Sequence, residues 1–127
     1  MNGHKYVFDT NAIVYYLQNR PEWVNFIDGT PMTKRVASVV TRIELLSYPG
    51  LTANDEDRVR RFLAGLRVVP LDETIETAAI ALRRAARLKL PDAVIAATAL
   101  SLGATLITGD QRLRDLDWPG FRTVTPA

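Results

Sequence analysis

Short apolar runs that alternate with amphipathic stretches predict an α/β protein with a central, mostly parallel sheet of roughly four to five short strands flanked by helices. Three observations carry this reading. The β-like runs Tyr6-Val7-Phe8, Lys34 to Val40, Arg67 to Leu71 and Thr105 to Thr108 are each separated by helix-length segments. The segment Asp92 to Leu102 is apolar on every side, as a helix buried between other elements must be. The chain has 127 residues and neither a repeat nor a linker, so one domain spanning 1–127 is expected, large enough to bury a core.

The elements follow in order. Lys5 to Phe8 is a short strand of aromatic and β-branched residues, and Asp9 to Gln18 is a helix with Ile13, Val14 and Leu17 at helical spacing. A second short helix starts near Pro21 and carries Trp23, Phe26 and Ile27. Lys34 to Val40 reads as a strand, and Thr41 to Tyr48 as a helix stopped by Pro49-Gly50. Thr52 to Leu66 is a charged amphipathic helix that turns Val59, Phe62, Leu63 and Leu66 inward. Arg67 to Leu71 is a third strand. A long helix runs from Asp72 or Thr74 to Leu88, with Ile75, Ala79, Leu82 and Ala86 on one stripe. Pro91 opens the apolar helix Asp92 to Leu102, which Gly103 ends. Thr105 to Thr108 is the fourth strand, Gln111 to Leu116 a short helix, and Arg122 to Thr125 a last strand.

Composition narrows the chemistry. There is no Cys, which excludes disulfides, thiolate catalysis and Cys-based zinc sites. The one His, His4, lies ahead of the first strand, so neither a His general base nor a His-ligated zinc fits. Carboxylates, hydroxyls, amides, Lys and Arg remain. A net charge of +2 points to no partner by itself. The N-terminus leads straight into a strand and no apolar run reaches membrane-spanning length, so a cytoplasmic protein is expected.

Four acids stand at element boundaries: Asp9, Glu44, Asp92 and Asp110. In open parallel sheets, ligands bind beyond the carboxyl ends of the strands near a topological switch point. Asp9 and Asp110 close strands there, Asp92 opens a packed helix, and Glu44 lies one helical turn past a strand end. Gathered together, like charges oppose ionisation unless a cation joins them, and the hard cation that suits oxygen ligands is Mg²⁺ or Mn²⁺. Each acid also has an ordinary role. Asp9 and Asp110 are good helix N-caps, Thr41-Arg42-Ile43-Glu44 matches a capping box, and Asp92 favours a helix dipole. Two features weigh toward a site. Asp9-Thr10-Asn11 supplies three cap-type residues where one suffices, and Asp92 places a charge at the start of a buried helix.

The segments Tyr6-Val7-Phe8-Asp9-Thr10-Asn11, Ser38 to Leu46, Leu90-Pro91-Asp92-Ala93-Val94-Ile95-Ala96-Ala97 and Leu106-Ile107-Thr108-Gly109-Asp110 resemble, in order, the acidic motifs of PIN domains. The resemblance covers nearly the whole chain and is strongest to VapC toxins of toxin–antitoxin pairs. It implies a metal-dependent endoribonuclease, a homodimer, and neutralisation by a small VapB-type antitoxin. Asp9, Glu44, Asp92 and Asp110 are then the catalytic and metal-binding acids, with Asp115 as a peripheral candidate. Hydrolysis needs a metal-activated water, and no His is required. Thr10, Asn11 and Thr108 are candidates to orient carboxylates or waters, and turn or cap roles suit them equally.

Arg83, Arg84, Arg87 and Lys89 lead into Asp92, while Arg112 and Arg114 follow Asp110. These are the candidate RNA-backbone contacts, set against the plain reading of a solvated helix end. Arg58, Arg60 and Arg61 alternate with Asp55, Glu56 and Asp57 and read as a solvated face. Trp23, Phe26 and Tyr48 are aromatic enough to stack bases, yet packing is the commoner use. Other acidic Mg²⁺ folds match less well. A receiver domain needs paired acids after the first strand and a Lys after a late one, and a haloacid-dehalogenase-type phosphatase needs Asp where Asn11 stands. A DNA-directed nuclease of related fold and a non-catalytic PIN-fold binding module are the remaining alternatives.

Overall fold

A computed structural model describes residues 3–127, so the first two residues of the expected 1–127 domain lie outside it. Five parallel strands form one sheet: β1 (Tyr6–Phe8), β2 (Arg35–Ser38), β3 (Arg67–Val69), β4 (Thr105–Ile107) and β5 (Thr123–Val124). They lie in the order β3-β2-β1-β4-β5. The helices are α1 (Thr10–Leu17), α2 (Pro21–Asp28), α3 (Val39–Leu46), α4 (Ala53–Ala64), α5 (Glu73–Ala86), α6 (Leu90–Leu102) and α7 (Gln111–Arg114).

Strand alternation divides the interior into two cores. Val7, Val36, Val69 and Leu106 face α5 and α6, packing with Ile75, Leu82 and Ala93 to Ala97. Their neighbours Phe8, Ala37 and Ile107 face the other way, onto Ile13, Trp23, Ile27, Leu45, Val59 and Leu63 of α1 to α4. Successive strand residues point to opposite faces, so a sheet covered on both sides must be apolar throughout. Helix α6 is buried from Ala93 to Thr98 and on to Ala99, as its uniform hydrophobicity requires. Trp23 is core: its ring lies tilted against Tyr15 at 5.1 Å, and Phe26 meets Tyr6 edge-on at 6.0 Å.

Several boundaries differ from those expected. The strand expected over Lys34 to Val40 ends at Ser38, and α3 begins at Val39 rather than at Thr41. Ser38 is the N-cap, its hydroxyl accepting the Val40 N–H at 3.1 Å, so Thr41 to Glu44 is not a capping box. The β-branched pair Val39-Val40 suits a strand, but a satisfied cap and the packing of Val40 and Leu45 decide for helix. The box that does form joins Thr52 and Asp55 at α4. The third strand stops at Val69 ahead of Pro70, because proline lacks the donor a ladder needs. The last helix and strand are also shorter than expected.

Strand β1 lies between β2 and β4, and this is the switch point where the strand order reverses across the sheet. Phe8 is level with Ile107, and the Asp9 N–H donates to the Ile107 carbonyl at 3.1 Å. The ends of β1 and β4 are thereby locked side by side, and the residues after them share one edge.

Candidate active site

Asp9 sits at the centre of that edge. As N-cap of α1 it accepts the Ala12 N–H at 2.7 Å through Oδ1, and Oδ2 accepts the Thr108 hydroxyl. It is only 5% exposed, and its pKa is pushed up to about 6. Burial is the main cause. The bonds to Thr108 and Ala12 oppose the rise, and the charges of Asp110 and Asp92 add to it.

Asp110 caps α7 by accepting the Arg112 N–H at 2.9 Å, and its own N–H donates to the Thr108 hydroxyl at 3.0 Å. Thr108 therefore ties the two strand-end acids together. Asp92 lies in the first turn of α6, where Lys89 at the N-cap position makes no side-chain cap. Its pKa is raised, first by burial and then by Asp110, with Arg112 and Lys89 opposing and Glu44 adding.

Glu44 projects from α3 to the same edge. Thr10, the first residue of α1, donates its hydroxyl to Glu44 Oε1 at 2.6 Å, and its oxygen lies 3.1 Å from that of Thr41. A threonine hydroxyl has one proton. With the Thr10 proton on Glu44, the proton between the two threonines comes from Thr41. The fully buried Thr41 thus steadies Thr10, and Thr10 aims Glu44. Sequence reading missed Thr41, taking it for a cap. Its position three residues before Glu44, on one helix face, was the available signal.

The four acids feel one another across the switch point without forming a ready-made chelate. Among the described residues, no group of three acidic side chains is gathered tightly enough to hold an ion by itself. The donor set is nonetheless all carboxylate and hydroxyl oxygen. Mg²⁺ keeps several waters and takes only one or two protein carboxylates directly, so an open ring of acids and hydroxyls fits it through water.

The other expected residues separate. Asn11 is exposed and lines a groove without bonding to the acids. Asp115 is the C-cap of α7, its carboxylate accepting the Gln111 amide at 2.6 Å, and it is not among the charges acting on Asp9 or Asp92. Arg112 stands beside the site, 3.7 Å from Asp92 and 3.9 Å from Asp110. Arg87, in the left-handed conformation at the end of α5, lines a cavity of about 440 Å³ together with Arg112. Arg83 and Arg84 are exposed on the last turn of α5, Lys89 is exposed before α6, and Arg114 meets Gln111 at 3.4 Å. On the other side of Glu44 a groove of about 540 Å³ runs between α1, α3 and α4, with Val14, Leu17, Leu45, Tyr48, Leu51 and Val59 on its walls. Tyr48 is exposed there.

A parallel α/β sheet with acids at its switch point defines the class, and the sequence settles which: the PIN domain family model matches residues 6–119, and the chain belongs to that family. Among solved structures it is similar to a toxin–antitoxin complex from Klebsiella pneumoniae, with 29% identity, a TM-score of 0.82, and coverage of 97% of this chain and 98% of that one. It is also similar to VapBC-1 from nontypeable Haemophilus influenzae, at 27% identity and a TM-score of 0.70, covering 89% and 95%. The DNA-bound VapBC of Salmonella typhimurium shares the fold at 23% identity and a TM-score of 0.78, covering 96% and 98%. No curated protein matches the chain by sequence. No helix among the described residues is long and apolar enough to cross a membrane.

Proposed function

We propose that this chain is a Mg²⁺- or Mn²⁺-dependent endoribonuclease and the toxin of a cytoplasmic, type II toxin–antitoxin pair. The observation that carries the reading is Asp9: a buried carboxylate, burdened by the fields of Asp110 and Asp92, at the switch point of a PIN fold. Such a group ionises comfortably only beside a cation. Asp9, Glu44, Asp92 and Asp110 would hold the ion. When bound, it supplies activation of the attacking water and offsets charge at the phosphodiester. Thr108 holds Asp9 and Asp110 in one orientation, and the Thr41–Thr10 pair holds Glu44. Arg112 and Arg87 line one cavity beside the acids, where they would offer positive charge to an RNA backbone.

The toxin role draws on the likeness to the Klebsiella pneumoniae complex. We extend it to a small VapB-type antitoxin whose segment covers the acidic crevice, and to a homodimer. The apolar groove beside Glu44, bordered by the Tyr48-Pro49-Gly50-Leu51 corner, is consistent with such a covering segment. A monomer by light scattering at working concentration would remove the dimer.

The decisive experiment is cleavage of RNA by the purified chain with Mg²⁺ or Mn²⁺, against an EDTA control and against Asp9→Asn. Cleavage that needs the ion and is lost in the variant is expected. An Asp9→Asn variant that cuts as fast as wild type overturns the assignment. Sequencing of new RNA ends after brief induction then identifies the target.

A further inference from the structure

Arg112 places a positive charge beside two of the four acids. Its Nη2 is 3.7 Å from Asp92 Oδ2 and its Nε is 3.9 Å from Asp110 Oδ1. Its own backbone N–H donates to Asp110 Oδ1 at 2.9 Å, so α7 anchors the base of this side chain on one of the acids it faces. The guanidinium is not locked in place: the side chain is 58% exposed, and the cavity shared with Arg87, Leu88 and Leu116 opens beside it. Arg114, on the same short helix, reaches Gln111 instead of an acid of the site.

We propose that Arg112 is a resident counter-cation of Asp92 and Asp110, which a divalent ion has to displace before it can settle among the acids. The proposal rests on the metal-dependent reading above. A guanidinium and a divalent ion cannot both sit within about 4 Å of the same two carboxylates without strong mutual repulsion. The contacts of Arg112 are long and near solvent, and exposed ion pairs are weak. The ion therefore wins at sufficient concentration, but at reduced affinity, and Arg112 swings into the neighbouring cavity. Arg112 thus sets the divalent-ion concentration at which the site fills.

The test is Mn²⁺ binding to metal-free protein, followed by electron paramagnetic resonance or calorimetry at low ionic strength. Wild type is compared with Arg112→Ala, Arg112→Gln and the charge control Arg114→Ala, each checked for native circular dichroism. The expected result is a dissociation constant about two- to thirty-fold lower in both Arg112 variants, the range that loss of two weak ion pairs allows. Arg114→Ala should shift it by less than about two-fold, because solvent and salt screen a charge that lacks these contacts. Equal tightening in all three variants would reduce the effect to net charge and overturn the proposal. Unchanged or weaker binding in the Arg112 variants would overturn it too, making Arg112 a residue that orders the acids. Absence of Mn²⁺ binding by wild type and every variant would instead bring down the metal-dependent reading, and this proposal with it.

Discussion

Replacing Asp9 by Asn should stabilise the metal-free protein while abolishing its activity. In the fold, Asp9 has its pKa raised from 3.8 to about 6, mainly by burial. The native state therefore binds this proton more tightly than the unfolded chain. The sign follows: the stability associated with the protonated group is fully present below about 3.8, is lost as pH rises toward about 6, and stays lost above that. A shift of this size corresponds to about 3 kcal/mol between the protonated and ionised forms. Asn is as good an N-cap as Asp and can keep the Ala12 bond, but it cannot accept the Thr108 hydroxyl through its amide nitrogen, which subtracts about 1 kcal/mol. A net gain of about 1–2 kcal/mol above pH 6 remains, or about 3 to 8 °C in Tm for a chain of this length. Thermal melts in EDTA between pH 4 and 8 measure it. The advantage of Asp9→Asn should be small near pH 4, grow through the interval to about 6, and then level off. Mn²⁺ at saturation should raise the Tm of wild type but not of the variant, since a ligand stabilises only the state that binds it. An Asp9→Asn protein less stable than wild type at pH 7.5 in EDTA would refute the reasoning, placing Asp9 as a cap whose charge the fold already satisfies.

Asp92→Asn should likewise leave the metal-free Tm unchanged or higher, since burial and the charges of Asp110 and Glu44 oppose its ionisation; a large drop in an EDTA melt would make it a structural residue. Thr41→Val should lower single-turnover kcat about ten-fold with little change in KM, and Thr41→Ser should restore it, because only the hydroxyl steadies Thr10 against Glu44. A Thr41→Ser variant as slow as Thr41→Val would count against the hydroxyl relay. Arg87→Gly should gain about 0.5–1 kcal/mol in denaturant melts by relieving the positive φ of 55°, while weakening RNA binding at low salt. Gly109→Ala should cost about 1–2 kcal/mol and shift tryptophan fluorescence, because the new methyl would lie 3.3 Å from the Trp23 ring.

The strand-end acids were legible in the sequence because strand alternation, turn residues and helix starts are local properties. Tyr6 to Phe8 followed by Asp9, and Thr105 to Ile107 followed by Thr108-Gly109-Asp110, state their own geometry within a few residues. Helix α6 declared its burial through uniform hydrophobicity, and the alternation of helices and strands implied a parallel sheet. The start of α3 was not legible, because Val39 and Val40 suit a strand as well as a helix, and packing on both cores decided between them. Nor could the sequence tell a capping acid from a site acid: Asp9 and Asp110 both cap helices, and both lie on the edge where we propose the site. Thr108 bonds to Asp9 across 99 positions, Thr10 to Glu44 across 34, and Arg112 reaches back to Asp92. Contacts of that kind depend on strand order, register and helix placement together, and a one-residue slip would turn each side chain to the opposite face. The identities of the acids follow from the chain itself, whereas the raised pKa of Asp9, the support of Thr41 and the counter-charge of Arg112 exist only once the sheet brings β1 and β4 side by side.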